Sequence, residues 1–411
     1  MTTTKNNEHK KLNFSSEREQ SQACLNSAEH EKNQGRKVLN VPNLRFPEFQ
    51  GEWEEYRIED ITVNISSGRC KSHSSNGKYN LYGSTGIIGK TDEACYEGNL
   101  VLVARVGANA GFLQIINEPC GITDNTLIIK SKKVDAQYIY YFLLHFNLNR
   151  LIFGSGQPLI TGSMLKKVKI SLGNIQEQNK LTRLLSLLDE RIATQSKIID
   201  KLQSLIKGLN DSLYAQYGDK VLTSFAELGT SYSGLSGKSA QDFGSGKPFI
   251  TYLNVYSNNI INENDFQYVA IKNGEKQNIV EYGDVLFTLS SETPEEVGIG
   301  SVYLGKEKVY LNSFCFGIHI TNMEVAFPPY LSYYVSSTAF RKFIYPYAQG
   351  STRFNLCKAD FEKASIKLPT LENQKRIYSI LSHIDSKIET EIQMLNLYNS
   401  QKQYLLRQMF I

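Results

Sequence analysis

The stretch "SLLDERIATQSKIIDKLQSL", residues 186–205, recurs in altered form as "SHIDSKIETEIQMLNLYNSQ", residues 382–401. The two stretches lie 196 positions apart and align without a gap. In both, the apolar residues alternate at steps of four and three, which is the spacing of a coiled-coil seam. The repeat therefore predicts two long helices. The seam positions are Leu181, Leu185, Leu188, Ile192, Gln195, Ile199, Leu202, Ile206, Leu209 and Leu213 in the first helix, and Ile377, Leu381, Ile384, Ile388, Glu391, Leu395, Tyr398, Lys402, Leu405 and Met409 in the second.

Polar residues interrupt both seams. Gln195 and Glu391 occupy the same step, where a polar side chain fixes the register of the pair at some cost in stability. Lys402 interrupts only the second seam, so we expect weaker packing near its end. Two such helices related by a twofold axis would run antiparallel. The alternative is that they are core helices of separate domains, although a globular core seldom keeps so long a strict heptad.

The repeat extends upstream of the helices. Leu165 aligns with Phe361 and Gln178 with Gln374, and each half runs from a Gly/Ser loop through a short strand into the helix. Further upstream, "NLVLVARVGANAGFLQII" and "YGDVLFTLSSETPEEVGIGSVYL" both indicate two strands around a glycine-bearing loop. The predicted fold class is α+β, with two β-rich domains separated by two long antiparallel coiled-coil helices in a pseudo-twofold repeat. The predicted segments are a disordered leader at 1–40, a first β-rich domain at 41–172, a first helix at 173–217, a second β-rich domain at 218–368 and a second helix at 369–411.

Composition narrows the class of protein. The 411 residues carry a formal net charge of +4, which permits a nucleic-acid partner without requiring one. The sequence has no apolar run of about 20 residues and no secretory signal, and its six cysteines form no C-x-x-C pair. These features predict a cytoplasmic protein without a membrane partner. The histidines form no metal-ligand spacing, so no metal and no cofactor are predicted.

Two stretches resemble parts of enzyme motifs but lack essential residues. An adenine methyltransferase loop needs an Asn at the position where "FPPY", residues 327–330, has Phe327. The stretch "YGSTGIIGKT", residues 82–91, nearly matches a phosphate-binding loop, yet Gly83 lies one residue too far from Gly89. The glycines more commonly serve turns, and no catalytic constellation is predicted.

The two β-rich domains have polar, glycine-rich inserts suited to DNA. A stiff pair of helices would hold two unlike domains at a fixed distance, and two heads can read one face of a duplex about 34 Å apart. The loops "GSGQPLI" and "GSTRFNL" occupy equal positions of the repeat and carry Gln157 and Arg353, which makes them the better candidates. Such side chains contact base edges and phosphates, although polar glycine-rich loops are more often solvated turns. The candidate DNA-binding residues are Arg69, Lys71, Ser72, Asn76, Lys78, Tyr82, Ser84, Thr85, Arg105, Gln157, Ser233, Ser236, Lys238, Tyr252, Asn254, Tyr256, Asn258, Ser351, Thr352 and Arg353.

A family resemblance becomes specific in six stretches. They are "LRFPEFQGEWEEYRIEDI", "YGSTGIIGKT", "YEGNLVLVARVGANAGF", "GSGQPLITGS", "NIQEQNKLTRLLSLLDERI" and "LPTLENQKRIYSILSHIDSKI". Over about residues 41–411 the chain resembles the specificity subunit of type I restriction–modification systems. "GNIQEQNK" departs from the Pro-rich run usual in that family, and "LPTLENQK" is closer to it.

The resemblance implies two target recognition domains, each reading one half of an asymmetric bipartite sequence in double-stranded DNA. It implies that the helices set the spacer and dock two methyltransferase subunits, which recruit two endonuclease/translocase subunits. The chain itself would be a non-catalytic member of the complex. The alternative is a coiled-coil scaffold or adhesin-like protein that binds other proteins or glycans through its β-rich domains.

Overall fold

The computed structural model describes residues 39–70, 74, 76–152, 156–217 and 220–411. Most of the expected leader, residues 1–38, lies outside the described residues. The chain divides into two compact units. Unit 1 runs to Glu190 and also includes Asn399–Ile411, whereas unit 2 comprises Arg191–Tyr398. Each unit therefore contains one β-rich domain, the start of one long helix and the end of the other.

Unit 1 contains nine strands and three short α-helices in its described residues, before the first long helix. Their bounds are β1 Glu54–Arg57, α1 Ile58–Ile61, β2 Thr62–Ser67, β3 Tyr79–Gly83, β4 Gly86–Thr91, β5 Asn99–Ala104, β6 Leu113–Asn117, β7 Cys120–Ile122, β8 Thr126–Ser131, α2 Ala136–Phe146, α3 Gly162–Lys166 and β9 Lys169–Leu172.

The main sheet of unit 1 has four antiparallel strands in the order β2-β8-β5-β6. The central strand β5 is apolar over Leu100–Ala104 and fully buried, which is expected of a strand covered on both faces. Helix α2 packs against it with Tyr138 and Phe142 in the core. A smaller sheet of three strands has the order β4-β3-β7. The paired strands β1 and β9 lead into the first long helix.

Unit 2 repeats this arrangement with a longer insert. Its bounds, followed by those of the long helices, are β10 Lys220–Thr223, α5 Phe225–Leu228, β11 Gly229–Ser233, β12 Phe243–Ile250, α6 Tyr252–Ser257, β13 Gln267–Val269, β14 Val285–Thr288, β15 Ser290–Ser291, β16 Gly300–Val302, β17 Tyr310–Leu311, β18 Cys315–Ile320, α7 Pro328–Tyr334, α8 Thr338–Ile344, β19 Ala348–Gln349, β20 Phe354–Leu356, α9 Lys358–Lys363, β21 Ile366–Pro369, and α4 Ile175–Gln216 and α10 Leu371–Met409.

The main sheet of unit 2 has the order β11-β18-β14-β16, strand for strand the order found in unit 1. The pair β10-β21 corresponds to β1-β9, and α7 corresponds to α2. Small sheets β13-β12-β17 and β15-β20-β19 complete the unit. An aromatic core fills it, in which the rings of Phe225 and Phe361 lie 5.2 Å apart. The predicted α+β class and internal repeat are confirmed.

Both long helices begin in the same way. Asn174 caps α4 by accepting the backbone N–H of Glu177 at 2.9 Å, and Thr370 caps α10 in the equivalent contact. The side chains of Gln178 and Gln374 each turn back toward the strand that precedes the helix. Gln178 donates to the carbonyl of Gly173, directly after β9, and Gln374 donates to the carbonyl of Pro369, the last residue of β21, each at 2.8 Å. The repeated glutamine therefore joins strand to helix inside each unit.

The predicted seam is confirmed as the contact between the helices, and they run antiparallel within each unit. In unit 2, the Nε2 of Gln195 donates to the backbone carbonyl of Glu391 at 3.0 Å and also contacts its carboxylate. Leu213, further along α4, shares a core with Ile377 near the start of α10. In unit 1, Leu181 and Leu185 share a core with Leu406 and Met409.

The polar interruption at Lys402 has a partner. The Nζ of Lys402 lies 2.5 Å from Oδ1 of Asp189 and 5.7 Å from the ring centre of Tyr141. The hydroxyl of Tyr141 donates to Oδ2 of the same aspartate at 2.9 Å. The charge of Lys402 is therefore compensated by an ion pair, while the expectation of weaker packing near the end of the second seam stays a prediction. At the equivalent place in unit 2, Asp385 accepts from Tyr333, and the residue of α4 that aligns with Lys402 is Ile206.

Candidate nucleic-acid interface

Four segments of unit 1 meet at one end of its main sheet. The backbone N–H of Arg105, just after β5, donates to the carbonyl of Asn125, just before β8, at 2.9 Å. The carbonyl of Arg105 accepts the N–H of Ile160 at 2.9 Å. At the preceding step, the N–H of Ala104 donates to the carbonyl of Phe112 at 2.8 Å. We call this arrangement junction 1.

Unit 2 contains the same arrangement, which we call junction 2. The N–H of Leu289 donates to the carbonyl of Phe314 at 2.9 Å, and its carbonyl accepts the N–H of Leu356 at 2.8 Å. The N–H of Thr288 donates to the carbonyl of Ile299 at 3.0 Å. All these bonds are made by backbone atoms, so the junctions can share one geometry while their side chains differ.

Junction 1 brings together several of the predicted DNA-binding residues. Ser84, in the β3–β4 turn beside Thr85, donates its hydroxyl to the carbonyl of Asn125 at 3.3 Å. Gln157 is exposed and precedes Pro158, whose carbonyl accepts the N–H of Gly107 at 3.0 Å. Arg69 is also exposed and follows Gly68, which donates to the carbonyl of Thr126 at the same sheet end, at 3.0 Å.

Arg105 has an unusual environment in junction 1. Its side chain is half-buried, and its Nε is buried without an acceptor among the described residues. A buried donor without an acceptor costs about 1–3 kcal/mol. A ligand with an acceptor at this position would remove that cost, and the guanidinium suits guanine edges and phosphates.

Junction 2 collects a different set of predicted residues. Ser351, Thr352 and Arg353 are exposed at the tip of the hairpin β19–β20, and β20 pairs with β15 directly after Leu289. Tyr252 donates its hydroxyl to the carbonyl of Ser290 in β15 at 2.8 Å. Burial raises the pKa of the Tyr252 hydroxyl, and the charge of nearby Arg353 acts in the opposite direction.

Tyr256 extends this group along α6. Its ring stacks on that of Tyr252, with centroids 6.0 Å apart and an angle of 18°. Its hydroxyl donates to Oε1 of Glu296 at 2.8 Å, and Ser291 donates to Oε2 at 3.0 Å. These hydrogen bonds, that from Tyr256 first, lower the pKa of Glu296. Junction 2 therefore presents an arginine beside stacked tyrosines and a bonded carboxylate.

Other predicted residues of unit 1 lie elsewhere. Tyr82 donates to Glu118 at 2.7 Å, and burial raises the pKa of this tyrosine to about 12, so its hydroxyl stays a neutral internal donor. Lys78 is exposed with its Nζ 5.3 Å from the ring centre of Tyr79, and Asn76 is exposed in a turn. Lys71 and Ser72 lie outside the described residues.

Several predicted residues of unit 2 are used inside the domain. Lys238 has a side chain only 5% exposed, donates to the carbonyl of Ala270 at 2.6 Å and pairs with Glu275 at 2.5 Å. The hydrogen bond from Lys238 is the main reason that the pKa of Glu275 falls to about 2. Lys238 therefore ties two loops together and offers no free charge to DNA.

The side chains of Asn254, within α6, and Asn258, directly after it, likewise form hydrogen bonds inside the domain. Asn254 is 3% exposed and donates to the carbonyl of Asn262 at 2.9 Å, while Asn258 donates to the carbonyl of Asn254 at 3.0 Å. Their amides hold a turn. Ser233 and Ser236 are exposed, but the carbonyl of Ser233 and the N–H of Ser236 bond to neighbouring side chains at 2.9 and 3.1 Å.

No group of three or more His, Cys, Asp or Glu side chains suited to a metal occurs among the described residues. In the same part of the chain, no helix is both long and apolar enough to cross a membrane.

Comparison with known proteins identifies the repeat. The family described as "Type I restriction modification DNA specificity domain" matches twice, over residues 50–204 and 227–397. The MjaVIII type I restriction enzyme specificity subunit of Methanocaldococcus jannaschii is 25% identical over 381 residues, covering 84% of this chain and 88% of that protein. A second specificity subunit of that organism, assigned to MjaX, is 27% identical over 301 residues, which span 64% of this chain and 65% of that relative's length.

Solved structures show the same fold. The S subunit of a type I restriction-modification system from M. genitalium covers 90% of this chain and 99% of its own, with a TM-score of 0.57 and 17% identity. A chain from a study of complex assembly and conformational transition in the type I R-M system gives a TM-score of 0.55 at 13% identity, covering 88% of this chain and 98% of its own. Two family matches that together span most of the sequence decide the assignment: the chain belongs to the type I restriction modification DNA specificity domain family.

Proposed function

We propose that the chain is the sequence-reading subunit of a type I restriction–modification complex. Unit 1 reads one half of a bipartite DNA target through junction 1, and unit 2 reads the other half through junction 2. The observation that carries this proposal is the repetition of one backbone junction with unlike exposed side chains in the two units. A common frame positions the readers, and different side chains select different half-sites.

The candidates with accessible or half-buried side chains fit this function better than those bonded inside the domains. Arg105 and Gln157 in junction 1, and Arg353 with Thr352 in junction 2, offer groups that hydrogen-bond base edges and phosphates. We therefore propose these residues as the main contacts from the predicted set. Lys238, with its charge already paired, serves the fold of unit 2.

The long helices fit a second part of the function, the docking of methyltransferase subunits. Away from the seam, unit 2 leaves apolar side chains exposed on both helices. Leu205 is 52% exposed and Leu397 is 67% exposed, and Ile198 and Met394 are 39% exposed each. We propose that two methyltransferase subunits cover such surfaces and recruit two endonuclease/translocase subunits, whose catalysis this chain directs.

A domain exchange tests the two-reader proposal. Residues 224–364, which lie between β10 and β21, would be replaced by the corresponding segment of a related specificity subunit. The frame strands and both long helices would remain. Methylated adenines would then be mapped by single-molecule sequencing in cells that also produce the methyltransferase.

The expected result is a motif with one half-site replaced, while the other half-site and the spacer length are retained. A reciprocal exchange of residues 58–168 should replace the other half-site alone. An exchanged chain that methylates a motif altered in both half-sites would contradict separate reading by the two units. If the native chain directed no sequence-specific methylation, the alternative of a scaffold for proteins or glycans would be favoured.

A further inference from the structure

The two junctions share one position that is equivalent in the structure but is not aligned by the sequence repeat. The position immediately before β8 is Asn125, and the position immediately before β18 is Phe314. Each residue gives its carbonyl to the strand-end N–H across the junction, to Arg105 or Leu289, at 2.9 Å. Asn125 and Phe314 therefore occupy the same place in the two frames.

Hydrogen bonds to its N–H or carbonyl group fix the backbone at this position in both units. In unit 2, the N–H of Phe314 donates to Oδ1 of Asn312 at 2.9 Å, while its carbonyl is bonded to Leu289. In unit 1, the carbonyl of Asn125 accepts from both Arg105 and the hydroxyl of Ser84. Such a fixed backbone gives the side chain a defined starting point at the surface, which is one requirement for recognition.

Both side chains point to solvent. Asn125 is exposed, and Phe314 is 57% exposed. A single exposed apolar residue is ordinary on a protein surface and needs no explanation. What distinguishes Phe314 is its place, because the equivalent residue of the other unit is polar, exposed and bonded through its carbonyl to Arg105 and Ser84, two of the predicted DNA-binding residues.

We propose that this position determines base specificity in each half-site, through Phe314 in unit 2 and Asn125 in unit 1. The inference rests on the proposed function and adds the chemistry of the base that is read. The ring of Phe314 packs on the C5-methyl group of a thymine in the major groove. The amide of Asn125 accepts from N6 and donates to N7 of an adenine.

Removal of single methyl groups from the DNA tests the role of Phe314. The chain in complex with its methyltransferase is measured against duplexes in which each thymine of the target is replaced in turn by deoxyuridine. At one position of the unit 2 half-site, the native complex should bind about four-fold more weakly without the methyl group, as expected for burial of one methyl. The Phe314→Ala complex should bind thymine and deoxyuridine there equally.

The matched control is Tyr282→Ala. Tyr282 is 56% exposed and precedes β14, at the opposite end of the strand from junction 2. This variant should keep the four-fold preference for thymine. The inference about Phe314 is overturned if Phe314→Ala retains the preference, or if no thymine of the unit 2 half-site shows one. A native complex without any sequence-selective binding would instead overturn the proposed function.

Asn125 provides an independent arm with a different probe. Replacement of adenine by 7-deazaadenine at one position of the unit 1 half-site should weaken binding by the native complex about ten-fold, near the lower bound for loss of a bidentate amide contact. The Asn125→Ala complex should not distinguish the two bases. Equal sensitivity of the native and Asn125→Ala complexes at every adenine would remove Asn125 from the reading surface.

Discussion

We predict that the length of the paired helices sets the length of the unread spacer between the two proposed half-sites. Gln195 contacts Glu391, which is its equivalent in the repeat, so the two helices cross at matching positions. Lengthening both helices at this crossing keeps the seam symmetric. The perturbation is a duplication of residues 193–196 in α4 together with residues 389–392 in α10. Each duplicated segment carries its own polar seam residue, so two Gln–Glu pairs can form.

The expected displacement follows from helix geometry. Four residues add about 6 Å of rise and overshoot one turn by about 40°. Two base steps of DNA add about 7 Å and turn the duplex by about 70° in the same right-handed sense. A seven-residue duplication would add about 10 Å but turn the seam by about 20° in the opposite sense, and so would fit three base pairs poorly. Four residues are therefore the better insertion.

The expected motif has both original half-sites and a spacer longer by one or two base pairs. It would be mapped as methylated adenines in cells, and confirmed by binding of the purified complex to duplexes with graded spacers. The seam should tolerate the duplication, because a four-residue stutter unwinds a coiled coil only locally.

Two controls separate helix length from other effects. A four-residue insertion after Gly274, an exposed turn residue with a φ of +81°, adds the same chain length without changing the helices and should leave the motif unchanged. Duplication in α4 alone breaks the match between the two seams and should lower activity. A double duplication that stays active and methylates the original motif, with its spacer unchanged, would refute the ruler.

Two further predictions concern single residues. Asp189→Asn should lower the free energy of unfolding by about 1 kcal/mol through loss of the half-exposed pair with Lys402, whereas Asp385→Asn should raise the melting temperature at pH 7. Burial raises the pKa of Asp385 above its unfolded value of about 3.9, so ionisation of this carboxyl lowers the stability of the native chain as pH rises from the unfolded pKa to the folded pKa. The gain from Asn should therefore vanish below the unfolded pKa. Equal melting temperatures of the native chain and Asp385→Asn at pH 7 would contradict this reasoning. Arg105→Ala should weaken DNA binding by about 1–3 kcal/mol and relax the unit 1 half-site only, while Arg105→Lys should keep the salt dependence yet lose selectivity. Arg353→Ala should relax the other half-site, and unchanged affinity of both alanine variants at normal melting would exclude the two arginines from the interface.

The sequence predicts the helices and the repeat because their signals are local. The four-three spacing is read within one segment, and the constant offset of 196 runs through strand, turn and helix without a gap. The structure confirms the antiparallel seam for the same reason, since buried positions such as Leu185 and Leu381 are those of the heptad.

The candidate interface is less predictable because distant segments build it. Arg105 and Leu289 are 184 positions apart, and Asn125 and Phe314 are 189 apart, so neither pair aligns at the offset of the helices. Their equivalence appears only in the hydrogen bonds between strand ends. Polarity alone also misleads, as Lys238 shows, because its partner Glu275 lies 37 positions away.

The construction of the junctions supports the proposal that one frame holds two specificities. Every bond that defines a junction joins backbone atoms, so replacing an exposed side chain there changes stability by only about 0.5 kcal/mol. Each unit has one arginine among the main proposed contacts. In unit 1 it is Arg105 at the end of a strand, and in unit 2 it is Arg353 in the neighbouring loop. The positive charge can thus change its place around the junction without a change in the frame. Because the frame does not depend on the exposed side chains, a new half-site would, under the proposed function, require substitutions mainly where side chains face solvent. The helices that we propose to set the spacer would not have to change with it.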